Sequence, residues 1–471
     1  FRQAFYACLT RRPDALFDLT DAVLCGDGPV RSLVELSLVG EHRRGHGSLY
    51  AALDRGRIDV EGLRTALAGC PLPRAADGRI VLAVDVTCWL RPEAHTSPGR
   101  VLCHTHGRGK DTHIMIPGWP YSFVVALETG RSSWTAVLDA VRLTAGDDLA
   151  VITAGQLRAV VGRLITAGHW QAGDPPILIV ADAGYDGPRL AWLLRDLPVD
   201  VLTRMRSDRV LRRPTPERPP GTWGRPRRHG DEFVFGDQAT WGDPDVNTRT
   251  DTRLYGPAHA RAFDRLHPRL TRRAAWADCP DLPILEGTVI RLEVEHLPSG
   301  ATPKPVWLWA STTGLNPDQV DRLWQAFLRR FDIEHTFRLL KQILGWTSPK
   351  IRSPQAADRW TWLVLAAHTQ LRLARLHAAD HRRPWEKPAA RPDRLTPARV
   401  RRDFRNLRMN TPLPAAAPKP SRPGPGRPPG RRNGPATRHD VTTAAGQHTA
   451  SPGTTRPKTT KSANPRPRRT G

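Results

Sequence analysis

Two short apolar runs, Ile80-Val81-Leu82-Ala83-Val84 and Ile177-Leu178-Ile179-Val180-Ala181, each lead straight into an aspartate, Asp85 and Asp182. Five apolar residues without polar alternation suit a strand whose sheet is covered on both faces. The chain is therefore expected to bury a sheet between layers of helices. Ser122 to Leu127 gives a second strand and Trp134 to Val141 a third, with Gly130 in the turn between them. Leu157 to Ile165 has helical spacing, Arg189 to Leu197 a shorter helix, and Val199 to Leu202 reads as a fifth strand. Arg108-Gly109-Lys110 falls where a loop would join the first two strands.

The resulting order is βββαβαβ, the order of the RNase H-like fold: an α/β mixed sheet with helices on both faces. On this basis residues 76–205 form the first part of the core. Residues 206–312 interrupt the alternation with Pro-rich turns and strand-like pieces, Thr288 to Val294 and Val306 to Trp309, and read as a β-rich insertion. Residues 313–380 supply closing helices, one long helix at about 317 to 344 and a second, Ala356 to Leu376, whose Trp360, Leu363, Leu365 and Leu371 form a packing stripe. Residues 1–75 carry helical apolar spacing with Arg43, Arg44 and Arg55 interspersed, which fits either a small DNA-contacting domain or a helical cap. A C-terminal extension covers 381–410. From Thr411 to Gly471 there is no aromatic residue and 12 Lys or Arg face one acid, Asp440, so a disordered basic tail is expected. Within it, Pro425-Gly426-Arg427-Pro428 resembles the Gly-Arg-Pro core that enters A/T-rich minor grooves.

The formal charge of +25 over 471 residues implies a polyanionic partner, since neutralising phosphates releases condensed counterions. Six scattered cysteines without a C-x-x-C pair suit a reducing cytoplasm. No uninterrupted apolar run of about 18 residues offers a bilayer span, and Phe1-Arg2-Gln3-Ala4 does not open an export signal. The start at Phe1 rather than Met leaves a fragment or a decayed gene copy in view.

A carboxylate at the end of a buried strand is held rigidly, and burying it without a partner is costly. Divalent ions relieve that cost, because Mg²⁺ prefers oxygen ligands and needs only one or two carboxylates beside phosphate and water. A loop-capping role is the plainer alternative for either Asp85 or Asp182 taken singly. A third carboxylate comes from Phe327 to Lys341: at about 100° per residue, Arg330, Glu334, Arg338 and Lys341 share one helix face. An acid among bases can hold metal while the bases grip phosphates; a solvated helix laced with ion pairs is the alternative. Asp186 and Asp332 are competing acids, read as surface or supporting groups. Cys103, His104, His106 and His113 raise zinc, but the ligands crowd one segment and lack a second cluster.

The segment from Phe327 resembles the signature of bacterial insertion-sequence DDE transposases of the IS-four superfamily: Tyr, two residues, Arg, three residues, Glu, six residues, Lys. Arg330, Glu334 and Lys341 match, and Phe327 replaces the Tyr. Ala83-Val84-Asp85-Val86-Thr87 and Ala181-Asp182-Ala183-Gly184-Tyr185 resemble the family's first and second acid motifs. The 152-residue gap between Asp182 and Glu334 also suits the family's β-rich insertion. The resemblance implies an enzyme that cleaves DNA and transfers strands with Asp85, Asp182 and Glu334 holding two Mg²⁺ or Mn²⁺ ions. It further implies DNA contacts from Arg330, Lys341, Arg338 and Tyr185, with transposon ends and target DNA as partners and a homodimer in the DNA complex. A non-catalytic DNA-binding remnant and an RNase H-like metal-dependent nuclease are the rival readings.

Overall fold

The computed structural model describes every residue except 107–112, 131, 219–220, 222, 278, 298, 390, 392–393, 421–429, 431–433 and 443–471. The loop expected at Arg108–Lys110 and the Gly-Arg-Pro motif at 425–428 lie outside the described residues.

An N-terminal region contains Arg2–Ala7 (α1), Leu9–Arg11 (β1), Pro13–Cys25 (α2), Leu33–Ser37 (α3), His46–Arg55 (α4), Arg57–Ile58 (β2) and Val60–Ala68 (α5). The central part comprises Val81–Leu90 (β3), Val101–His106 (β4), His113–Leu127 (β5), Thr135–Arg142 (β6), Leu149–Thr166 (α6), Ile177–Ala181 (β7), Gly187–Leu193 (α7) and Val199–Met205 (β8). There follow Val210–Arg212 (β9), Glu232–Val234 (β10), Val246–Thr252 (β11), Gly256–Leu266 (β12), Gly287–Val294 (β13) and Val306–Ala310 (β14), then Pro317–Arg329 (α8), Asp332–Gln342 (α9), Pro354–Ala374 (α10) and Pro397–Met409 (α11).

Ten strands form one mixed sheet in the order β11-β12-β13-β14-β8-β7-β3-β5-β4, with β6 also on β5. Strands β3, β7 and β8 are parallel, and β5 and β6 run antiparallel to their neighbours. This is a mixed α/β architecture, consistent with an RNase H-like fold. The side chains of β3 divide between two cores: Leu82 and Val84 pack with Leu157, Val161 and Leu164 of α6, while Val81, Ala83 and Trp89 join the larger core with α8, α9 and α10. That period-2 split is why its sequence shows no polar alternation. Helix α6 is long and apolar enough, by length and composition, to cross a membrane; here its apolar face packs on the sheet.

Several expectations are corrected. The first strand does not stop at Asp85 but continues through Leu90, paired to β5 from Leu82↔Ala126 to Leu90↔Gly118. An extra strand, β4, pairs with the N-terminal half of β5, which is itself 15 residues long. Strands within 206–312 join the central sheet: β14 pairs with β8 and so extends it through β13, β12 and β11. The long closing helix is two helices, because Arg330 and Phe331 form a tight junction in which Arg330 N–H donates to Phe327 O, and Ile333 N–H to Arg330 O, both at 3.0 Å. Such i→i+3 bonding narrows the helix locally and turns Arg330 inward while Phe331 is left exposed.

The tail is also partly ordered. Pro412 O accepts from Arg2 Nε at 3.1 Å, Ala415 O from Arg43 Nη2 at 3.1 Å, and Thr442 forms a bridge to Val101 beside the edge strand β4. Truncation should therefore separate two effects. Removing 443–471, which holds six Lys or Arg and no acid, should lower the slope of log affinity for DNA against log salt by up to about 5. The thermal midpoint should stay unchanged. Removing everything after Asn410 should lower that midpoint as well, measurable by calorimetry and salt-titrated anisotropy on the same proteins.

Candidate active site

Parallel pairing between β3 and β7 runs Val81↔Leu178, Leu82↔Ile179, Ala83↔Val180. Two residues further on, the same register sets Asp85 beside Asp182, just where β7 ends at Ala181. Asp85 is thus a mid-strand residue on its β5 side and an edge residue on its β7 side, half-sheltered by the sheet but open where the neighbour stops. Its Oδ1 accepts from Val86 N–H at 2.8 Å, and Asp182 accepts from Ala183 N–H.

Helix α9 lies along the same face of β3. Phe337 packs edge-on against Phe123 of β5 with centroids 5.2 Å apart, and Trp346, just past the helix, meets Trp89, Tyr121 and Phe123 at 6.1, 5.4 and 5.4 Å. Beyond the helix Gly345 has φ 68°, and a Cβ there would lie 2.6 Å from Val30 O, so the turn admits only glycine comfortably. These contacts fix α9 so that Glu334, in its first turn, is brought to the aspartates.

All three carboxylates meet one guanidinium. Arg330 Nη1 lies 2.9 Å from Asp85 Oδ2, and Arg330 Nη2 lies 3.7 Å from Asp182 Oδ2 and 3.6 Å from Glu334 Oε1. Arg330 is only 5% exposed, whereas the carboxylates are 21%, 41% and 51% exposed in the same order. The rings of Phe331 and Phe327 stand 5.1 and 5.9 Å from its guanidinium carbon. Burial raises the Asp85 pKa to about 6; Arg330 opposes the rise, and the neighbouring Asp182 and Glu334 charges add to it.

The donor set is oxygen only, which suits Mg²⁺ or Mn²⁺. Among the described residues no three such side chains stand close enough together to hold an ion as placed, because the guanidinium fills the space between them. Asp182 Oδ2 and Glu334 Oε1 share one Arg330 nitrogen, so they are at most about 7.3 Å apart. Two oxygens on one Mg²⁺ at about 2.1 Å each are at most about 4.2 Å apart. By chemistry the three carboxylates suit a divalent ion; as placed they do not stand close enough to share one.

The other expected site residues are distributed unevenly. Arg338 is exposed on the outer face of α9. Lys341 is turned toward the sheet: its Nζ donates to Thr87 Oγ1 at 2.7 Å and lies 5.8 Å from the Trp346 ring, and burial lowers its pKa. Arg330, expected on the DNA-facing side, is instead the buried counter-ion of the acids. Tyr185 is half-buried: it packs against the α6-side core with its hydroxyl enclosed, and burial, then Asp85 and Asp182, push its pKa well up. Asp186 caps α7 by accepting from Arg189 N–H at 3.2 Å. Asp332 pairs with Arg329, and burial raises its pKa to about 7. Cys103 is buried next to Cys88, and the side chains of His106 and His113 lie outside the described residues. Sequence reasoning missed Thr87 as the partner of Lys341; its signal was the i, i+2 spacing from Asp85, which places both on one face of β3.

Two aspartates where parallel strands end and a glutamate on a neighbouring helix thus gather around one buried guanidinium. The family model described as DDE superfamily endonuclease matches residues 4–267, and the chain belongs to that family. The match takes in Asp85 and Asp182 and ends before Glu334. No curated protein matches the chain. Among solved structures the chain is similar to the Drosophila P element transposase strand transfer complex, at 18% identity and a TM-score of 0.21, over 39% of this chain and 36% of that one. The similarity thus spans little more than a third of that transposase.

Proposed function

We propose that the chain is a DDE transposase of the bacterial insertion-sequence type, cutting DNA at element ends and joining the freed 3′-hydroxyl to target DNA. The observation that carries this reading is the convergence of Asp85, Asp182 and Glu334 on the single guanidinium of Arg330. In this reading Asp85, Asp182 and Glu334 would hold Mg²⁺ or Mn²⁺. Two such ions, when bound, supply activation of the attacking oxygen and charge stabilisation of the leaving one. The protein's own residues position the DNA. Arg338, exposed one turn beyond Glu334, grips a phosphate, and Lys341, oriented by Thr87, adds positive charge from the sheet side of α9. Tyr185 shapes the floor beneath the aspartates, and Arg330 can reach DNA only by leaving the carboxylates. The Arg338→Ala variant should lose about tenfold in DNA affinity with the metal dependence of cleavage unchanged.

The direct test is a strand-transfer assay with the gene's flanking inverted repeats as donor duplexes and a plasmid target. The transposase reading predicts metal-dependent nicks at the repeat ends together with joined products. Nicks without joined products would assign the chain to hydrolytic nucleases, and no cutting at all would make it a DNA-binding remnant.

A further inference from the structure

Three contacts lead along β3 away from the acids: Arg330, at the α8–α9 junction, meets Asp85, Lys341 near the end of α9 meets Thr87, and Trp346 beyond it meets Trp89. At the end of this track Arg91 Nη1 donates to Pro349 O at 3.1 Å, and the chain opens into a groove of about 900 Å³. One wall is the N-terminal region at α3 and α4, and the other is the segment joining α9 to α10. Arg31, Arg55, Lys350 and Arg352 line it, all exposed, against a single acid, Asp54. Arg55 and Asp54 are 3.5 Å apart, and Arg352 Nε donates to Thr96 O at 3.0 Å. The side chains of Arg31 and Lys350 make no ion pair or hydrogen bond among the described residues. Tyr50, 43% exposed, offers an aromatic surface between these cations.

We infer that this groove holds the phosphate backbone of the DNA flanking the cleavage site, so that the N-terminal region and the α9–α10 segment together form a second DNA contact. The inference rests on the proposed reading of the acids as a DNA-cleaving site. Charge complementarity argues for the occupant: four exposed cations against one acid make a positive surface that attracts a polyanion, whose phosphates release condensed counterions when neutralised. Distance argues for its place. Five residues of strand separate Asp85 from Leu90, about 17 Å at about 3.3 Å each, which is about five base pairs of duplex. The groove begins beyond Leu90, so a duplex cut at the acids would enter it more than about five base pairs from the cut.

The test is the Arg31→Ala, Lys350→Ala double variant of the full chain, which removes no side-chain hydrogen bond or ion pair among the described residues and should fold normally. Binding to a 30-base-pair duplex is read by anisotropy across a salt series in EDTA, so the result does not depend on metal-driven cleavage. Arg11→Ala, Arg57→Ala is the charge-matched control outside the groove. The groove variant should lose about tenfold in affinity, and its salt slope should fall by about 1.8, or about 0.9 per phosphate contact. The control should change by less than about threefold. Equal losses in both pairs would show diffuse charge rather than a site and overturn the inference, as would an unchanged slope in the groove variant. If the triad variants cut normally while the groove variant behaves as expected, the reading of the acids fails and the DNA contact stands.

Discussion

Asp85→Ala, Asp182→Ala and Glu334→Ala, each alone, should lower metal-dependent DNA cleavage by about 10³-fold or more while DNA affinity stays within about threefold of wild type. The size follows from the several kcal/mol of transition-state charge stabilisation that an oxygen-held divalent ion supplies, at about 1.4 kcal/mol per factor of ten. Affinity should hold because these groups are negative and contribute nothing attractive to phosphates. The three variants should also differ in stability. Asp85 is the most enclosed acid and makes the shortest contact to Arg330, 2.9 Å, so its loss leaves that guanidinium with partners only at 3.6 and 3.7 Å. Glu334 is half exposed, and its loss should alter the thermal midpoint least. Cleavage rates paired with midpoints therefore separate a chemical defect from an unfolded protein.

Arg330→Ala should destabilise the metal-free chain by roughly 1–3 kcal/mol, and Mn²⁺ should restore more stability to the variant than to wild type. Removing one partner of a buried ion pair costs about 3–5 kcal/mol; the smaller figure allows for the solvent reaching Asp182 and Glu334. Without the guanidinium, three carboxylates face one another, and only a proton or a metal ion relieves them. The pH dependence follows from Asp85, whose pKa is raised to about 6. A group that holds its proton more tightly when folded contributes stability that is present below its unfolded pKa near 4 and is lost as the pH rises through about 6. In EDTA the variant should show this loss more steeply than wild type, since Arg330 is the charge that opposes the shift. Urea titrations at pH 5 and pH 7.5, with and without Mn²⁺, measure it. Equal Mn²⁺ stabilisation of both proteins would mean that Arg330 and the ion do not compete for the same carboxylates.

The acids were legible in the chain because a doubly covered strand must be apolar throughout, which made Asp85 and Asp182 conspicuous after Val84 and Ala181. Where β3 ends was not legible. Val86, Thr87 and Trp89 are good strand residues, and only the partner β5, long enough to reach Gly118, carries the pairing to Leu90. Nor could local sequence show the α8–α9 junction. Arg330 and Phe331 are neither Gly nor Pro, and the break answers a tertiary demand: Arg330 is drawn to acids 245 and 148 residues upstream while Phe337 is held on the sheet. The tail misled for a related reason. Its apolar residues are few, with Ala415 the one buried in the core, but its backbone carbonyls add acceptors to Arg2, Arg43 and Arg100, arginines remote in sequence that are already anchored on the folded part.

Metal-directed cleavage of the polypeptide puts the convergence of the three acids to the most direct trial. With Fe²⁺ in place of Mg²⁺, ascorbate and peroxide generate radicals that cut the backbone within a few ångströms of the bound ion. Fragments mapped by mass spectrometry should end near residues 85, 182 and 334 together, and excess Mg²⁺ should suppress all three. Cuts confined to one of these segments, or clustered elsewhere, would contradict a shared ion at this site.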